Sequence, residues 1–337
     1  MGRRVWPGSI RLQNDPFKSA GETPTMLIGV TVPNIGPLAM NGAAVEIAEQ
    51  AEQLGFASVW TVDHIVLPHV SSQSYPYTRL AGVSLPADWP MLDPLVTLAA
   101  IASRTSRVLL GTGVYLLPLR PPVINARLAV SVDILSKGRL LFGIGLGWIK
   151  EEYETLGVPW TDRGRLFDEQ IDLLRTLWRD PAPRFDGDFW HVDGIGFEPK
   201  PVNGTIPLLI GGKNDVSRRR AAKRGDGWHL IDMEPSEIAA SRAALVEDCR
   251  AAGRAPEEVP ISMYASLLIA EQDLPDNERQ FPLLASVDRI VAKLDAYRAA
   301  GLDHIVLAPR GLNTLKEYKD LFGRIAGEIL PRLELRR

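Results

Sequence analysis

Apolar residues along this chain fall into short continuous runs, separated by longer stretches in which apolar positions recur every three or four residues. A continuous run fits a strand buried on both faces, and the three-to-four spacing fits a helix with one buried stripe. The first pair is a strand over Leu27 to Val32 and a helix over Gly42 to Leu54, closed by Gly55. The unit then recurs. Ala57 to Val62 precedes a helix over Asp93 to Ala102, Val108 to Val114 precedes Val123 to Leu135, and Leu140 to Ile144 precedes Gly164 to Trp178. Leu208 to Ile210 precedes Val216 to Arg224, and Gly227 to Ile231 precedes Ser236 to Ala252. Ile261 to Ile269 precedes Val287 to Ala300, and His304 to Ala308 precedes Leu315 to Leu330.

Eight strand-then-helix units without a reversal point favour a (β/α)8 TIM barrel over a doubly wound open sheet. Two insertions break the rhythm. Between the second strand and its helix, residues 66–92 carry Pro68, Pro76, Pro86 and Pro90 together with Tyr75, Tyr77 and Trp89. A long aromatic connection of this kind reads as a lid or binding loop. After the fourth helix, the alternating segment Phe185 to Trp190 within residues 184–203 reads as a small hairpin. Residues 1–25, with Pro, Gly, Arg and Asn but no sustained period, read as a flexible arm, which leaves residues 26–337 as a single barrel domain.

Composition narrows the partners. A net charge of -3 and no repeating basic stripe argue against a nucleic-acid surface, and Arg218 to Arg220 reads as a solvent-facing run on its helix. No apolar stretch is long enough to span a bilayer, and no apolar region follows Arg3-Arg4, so a cytoplasmic protein with a small-molecule substrate is expected. The single cysteine, Cys249, lies in a helical pattern and is expected to be buried.

Barrel active sites lie where the strands end at their carboxyl side. The residues there are Asp63-His64, Gly113-Val114-Tyr115, Gly145-Leu146-Gly147-Trp148, Gly211-Gly212-Lys213, Asp232 and Arg310. They include no glycosidase-type carboxylate pair and no serine elbow, and the five histidines lack metal-ligand spacing. Glycines and aromatics at strand ends suit a planar cofactor that carries the chemistry itself. The sequence GRLLFGIGLGW over Gly138 to Trp148 looks like a floor for such a molecule, with a plain strand-to-helix turn as the alternative. It is not a dinucleotide fingerprint, because the third glycine place falls on Trp148 or Lys150. His64 is the best proton-handling candidate, and Lys213 before a helix start is the best phosphate candidate.

These segments resemble the luciferase-like monooxygenase superfamily, and within it the coenzyme F420-dependent oxidoreductases. The resemblance is carried by TVDHIVLP at 61–68, LGTGVYLLPLRPP at 110–122, the stretch from Gly138 to Gly164, GFEPKP at 196–201, and IPLLIGGKN with GDGWH at 206–229. It implies a bulge after the third strand at Gly113-Val114, with a non-proline cis peptide, backing an isoalloxazine-like ring. It also implies His64 beside the redox-active part of that ring and the cofactor phosphate and tail held at Gly145, Gly147, Gly211 and Gly212; Asp63, Leu146, Trp148 and Lys213, adjoining these positions, complete the expected cofactor-binding set. Where the family's sugar-phosphate dehydrogenases carry an acidic proton donor, this chain has Trp148, which points to an apolar or aromatic substrate bounded by Trp148, Tyr115 and Trp89. The expected activity is hydride transfer with F420. The alternatives are an FMN-dependent monooxygenase using oxygen and a non-catalytic flavin-binding barrel. The resemblance also implies a homodimer.

Overall fold

A computed structural model describes residues 26–69, 86–273 and 281–333. The N-terminal arm and the tyrosines at 75 and 77 lie outside the described residues. In chain order the strands begin with β1 (Leu27–Thr31), β2 (Ser58–Thr61), β3 (Leu109–Thr112), β4 (Tyr115–Leu116), β5 (Leu140–Gly145) and β6 (Phe185–Asp186). They continue with β7 (His191–Val192), β8 (Leu208–Gly211), β9 (Gly227–Ile231), β10 (Ile261–Ile269), β11 (Leu283–Ala285) and β12 (His304–Pro309). The helices are α1 (Ala43–Gln53), α2 (Pro94–Ala102), α3 (Pro122–Leu135), α4 (Lys150–Thr155) and α5 (Arg163–Arg179). After them come α6 (Asp215–Arg224), α7 (Pro235–Ala251), α8 (Val287–Ala299) and α9 (Leu315–Arg324).

Eight parallel strands close into a ring in the order β1, β2, β3, β5, β8, β9, β10, β12, with β12 returning to β1. This is the (β/α)8 barrel that the alternation of runs predicts. Every residue of β5 is buried, as a strand with the barrel interior on one side and helices on the other requires. The main apolar core lies between the ring and its helices, and a smaller cluster of Trp60, Leu141, Leu209 and Val306 fills the inside. The hairpin after α5 is present as antiparallel β6 and β7.

Helix starts follow local chemistry. Asp93 caps α2 by accepting from Leu95 N at 2.9 Å and Val96 N at 3.1 Å, and Asn214 caps α6 by accepting from Ser217 N at 2.8 Å. Cys249 is buried, as expected.

Three features depart from the pattern-based reading. The third barrel strand is not continuous to Val114: it breaks after Thr112 and resumes as β4, which pairs with β5. The short helix α4 occupies what reads as connecting turn, because its six residues are too few to show a helical period. The arginine run is not simply solvated. Arg218 pairs with Asp248 of α7 at 2.7 Å and Arg220 with Asp168 of α5 at 2.6 Å, tying α6 to its neighbours while Arg219 is exposed.

Candidate active site at the carboxyl ends of the barrel strands

His64 follows β2 and is half-buried. Its Nδ1 lies 3.1 Å from Oε2 of Glu152, a carboxylate whose side chain is only 1% exposed. The other oxygen, Oε1, accepts the backbone N–H groups of Ile65 at 2.5 Å and Val66 at 3.3 Å. One buried carboxylate thus fixes both the ring and the backbone that carries it. An ionised carboxylate only accepts, so Nδ1 carries the hydrogen and Nε2 is left for chemistry. The Trp148 ring meets the imidazole edge-on, with centroids 6.2 Å apart and planes at 89°.

Glu152 comes from α4 and was invisible as a site residue to sequence reasoning. Its neighbour Tyr153 is fully buried and donates its hydroxyl to the carbonyl of Leu146, inside the glycine turn. Adjacent residues of one short helix therefore brace two strand ends, β2 through Glu152 and β5 through Tyr153. The six residues of α4 are too few for a helical period to mark Glu152 in the sequence.

Asp63 is engaged within the protein itself. It is buried and clamps Arg120 through two hydrogen bonds of 2.7 and 2.9 Å, while its Oδ2 also accepts Leu116 N at 2.9 Å. Burial alone would lower the Arg120 pKa, but the bonds and charges of Asp63, with the charge of Asp93, outweigh it and raise the value. Asp63 therefore binds β2 to β4, across the break that contains the cis peptide bond between Gly113 and Val114.

The strand-end glycines explain that bulge. A Cβ on Gly145 would stand 2.4 Å from Val114 Cγ2, one on Gly211 would stand 2.7 Å from Val114 Cγ1, and one on Gly143 would stand 2.0 Å from the Thr112 carbonyl oxygen. Their close approach is to the protein's own bulge, a role that differs from the cofactor floor read in the sequence. Val114 fills the space that Gly145 and Gly211 leave. Gly147 and Gly212 are glycines for their backbone, with φ of 74° and 121°.

Of the aromatics expected around a substrate, Trp148 stands beside His64, and Trp89 packs over Gly36 in the loop after β1. Tyr115 is a correction. It is fully buried, its hydroxyl lies 3.0 Å from Asn125 Oδ1, and Arg120 covers its ring at 4.3 Å, so it is a packing residue beneath the site. Lys213 is exposed just ahead of α6, whose first turn carries Asp215 and is already capped by Asn214. At the opposite rim, Asp232 has a left-handed backbone with φ of 44° and accepts Ser266 N at 2.7 Å and Ser266 Oγ at 2.8 Å. Arg310 donates to the same Ser266 hydroxyl at 2.8 Å. Burial raises the Asp232 pKa against the opposing pull of Ser266, Arg310 and Lys213.

Beneath the bulge, His229 Nε2 is a buried nitrogen without a hydrogen-bond partner among the described residues. Buried polar atoms are almost always paired, so an orphan below a strand-end bulge fits a site completed by a bound molecule. The described residues contain no group of His, Cys, Asp and Glu that could hold a metal. No helix among them is long and apolar enough to cross a membrane.

Residues 31–301 match the sequence profile of the luciferase-like monooxygenases. The chain belongs to that family. Members of the luciferase-like family are oxidoreductases and monooxygenases that work with F420 or FMN. An uncharacterized protein of Mycobacterium bovis is 34% identical over 194 residues, 58% of this chain and 67% of that one. The F420-dependent glucose-6-phosphate dehydrogenase of Amycolatopsis mediterranei is 25% identical over 332 residues, 86% of this chain and 93% of that one. The FMN complex of a type II Baeyer-Villiger monooxygenase component from Pseudomonas putida shares the fold, with a TM-score of 0.72 and 15% identity over 93% of this chain and all of that one.

Proposed function

We propose that this luciferase-like protein is an F420-dependent oxidoreductase acting on a small apolar or aromatic substrate. The observation that carries the reading is the His64–Glu152 pair, a histidine held by a buried carboxylate at the carboxyl end of β2. F420 supplies a two-electron hydride carrier, with deazaflavin C5 as the donating or accepting atom. Protonated at both nitrogens, His64 gives its Nε2 proton to the substrate heteroatom when carbon is reduced and is left as the Nδ1–H tautomer; when the reaction runs as an oxidation, the bare Nε2 takes a proton. Glu152 holds the ring in one tautomer and orientation, as a third group does in catalytic triads. Trp148 offers an aromatic wall beside His64, and Val114 supports the ring site from below. The exposed Lys213 draws the anionic cofactor tail. Similarity to an F420-dependent dehydrogenase over most of the chain supports F420 as the cofactor. A cytoplasmic homodimer belongs to the same reading.

A second reading is an FMN-dependent monooxygenase, which draws on the fold shared with the FMN-bound relative. The non-catalytic barrel is the weakest, since a scaffold that only binds has no need of a buried carboxylate seated on a strand-end histidine. His64→Ala tests the main reading. In F420-loaded enzyme screened on small ketones, aldehydes and activated alkenes, turnover should fall at least ~100-fold while F420 affinity stays within a few-fold. Unchanged turnover would remove His64 from the mechanism.

A further inference from the structure

Inside the barrel, five side chains form one hydrogen-bonded line. Trp60 Nε1 donates to Ser58 Oγ at 2.8 Å, and Ser58 Oγ lies 2.8 Å from His304 Nε2. Ser262 Oγ lies 3.0 Å from His304 Nδ1 and 3.0 Å from His229 Nδ1. The line ends at the unpartnered Nε2 of His229, whose ring stacks on Trp60 with centroids 4.9 Å apart and planes 2° from parallel.

The hydrogens in this line have a preferred direction. An indole N–H only donates, so Ser58 accepts from Trp60 and has its own hydrogen to give to His304 Nε2. The hydrogen of His304 is then on Nδ1 and goes to Ser262, whose hydroxyl gives its hydrogen to His229 Nδ1. That leaves the hydrogen of His229 on Nε2. The reverse direction makes the same four bonds but leaves two groups unmet in a low-dielectric interior, the Ser58 hydroxyl hydrogen and the His229 Nε2 lone pair, where the first direction leaves only the His229 Nε2–H. Burial pushes both histidines down to about 3, so each ring is neutral and holds a single ring hydrogen.

We infer that His229 Nε2–H is a recognition donor for the cofactor ring, delivered in that tautomer by the Trp60–Ser58–His304–Ser262 line and offered to an acceptor atom of the molecule seated at Gly113. The inference rests on the reading that the barrel mouth holds F420 or FMN. Gly113 is the half-buried residue at the bulge, and a Cβ there would stand 3.2 Å from His229 Nε2. A side chain at that position would cap the donor, and glycine leaves it open. His229 itself is 3% exposed, so its N–H is desolvated whether or not a ligand answers it. A donor held in place before binding strengthens an acceptor bond without reorganisation, and the bond strengthens further if that acceptor gains negative charge on reduction.

The test uses the full chain with uniformly 15N-labelled histidine. Nitrogen chemical shifts read the tautomer of His229 in the free protein, and titration with F420 and then FMN reads its response. The expected result is an Nε2–H tautomer, a clear shift of the Nε2 resonance on cofactor saturation, and about tenfold weaker cofactor binding in His229→Phe, which keeps the stack on Trp60. Ser262→Ala frees the tautomer while leaving the imidazole in place; it serves where His229→Phe does not fold, and should weaken binding in the same direction. An Nδ1–H tautomer would overturn the inference. So would a cofactor that binds tightly without moving the resonance, a result that leaves the proposed function standing. If neither cofactor binds, the proposed function fails, and the donor role fails with it.

Discussion

His64 and His229 occupy the same barrel and have opposite surroundings. His64 sits half-buried at the rim, with Nδ1 on a carboxylate and Nε2 left over. His229 and its neighbour His304 lie inside, with serine hydroxyls on their ring nitrogens, and burial holds both far below the usual histidine range. Where a carboxylate answers the ring, the histidine can carry a proton through a reaction. Where only hydroxyls answer it, burial keeps the ring neutral, and it can do no more than orient a hydrogen. The partner, not the residue type, separates a proton carrier from a fixed dipole.

Glu152→Gln attacks the rim side of this contrast most directly. It keeps the shape but loses the charge and the fixed tautomer, so turnover should fall ~10- to 100-fold. The double variant with His64→Ala should be no slower than His64→Ala alone, because the two act as one unit. Multiplicative losses in steady-state rates would show that Glu152 works separately.

The support beneath the rim comes next. Asp63→Ala strands Arg120, whose side chain is 14% exposed, and leaves it only the longer contact to Asp93 at 3.2 Å. Breaking a buried pair costs about 3 kcal/mol, which thermal or urea unfolding would register. A change within experimental error would mean that Asp63 is not the tie between β2 and β4.

The interior histidines predict the smallest effect at neutral pH and a growing one in acid. Their folded pKa values are lowered from 6.5 to about 3, so the unfolded chain binds more protons between those limits. Their contribution to stability is fully present above 6.5 and is lost as pH falls toward 3, by up to about 1.4 kcal/mol per pH unit for each ring. Urea midpoints measured from pH 7 to pH 4.5 should decline, and the decline should be shallower in His304→Gln. An equal slope in that variant would show that His304 does not take part.

Much of this was legible in the sequence, and the division has a physical basis. Each barrel strand is an apolar run because both its faces are buried, so the repeat of run and helix carried the fold. The strand ends gave His64 and Trp148, which the structure brings together. Three things were not legible. Glu152 sits on a six-residue helix too short to announce itself, yet it reaches back 88 residues to His64. The glycines at 145 and 211 looked like an opening for a ligand because sequence does not reveal that Val114 occupies the space. Tyr115 looked available because strand ends usually face the mouth, but the break after Thr112 restarts the strand and turns Tyr115 into the core.

The central claim is that the mouth of this barrel takes F420 and moves hydride. Titration of purified cofactor-free protein with F420 and with FMN, followed by anaerobic reduction and mixing with air, tests it in one series. The account predicts preferential F420 binding and slow reoxidation of the reduced complex. Preferential FMN binding, with rapid reaction with oxygen through a transient peroxyflavin spectrum, would contradict it and make the protein a monooxygenase.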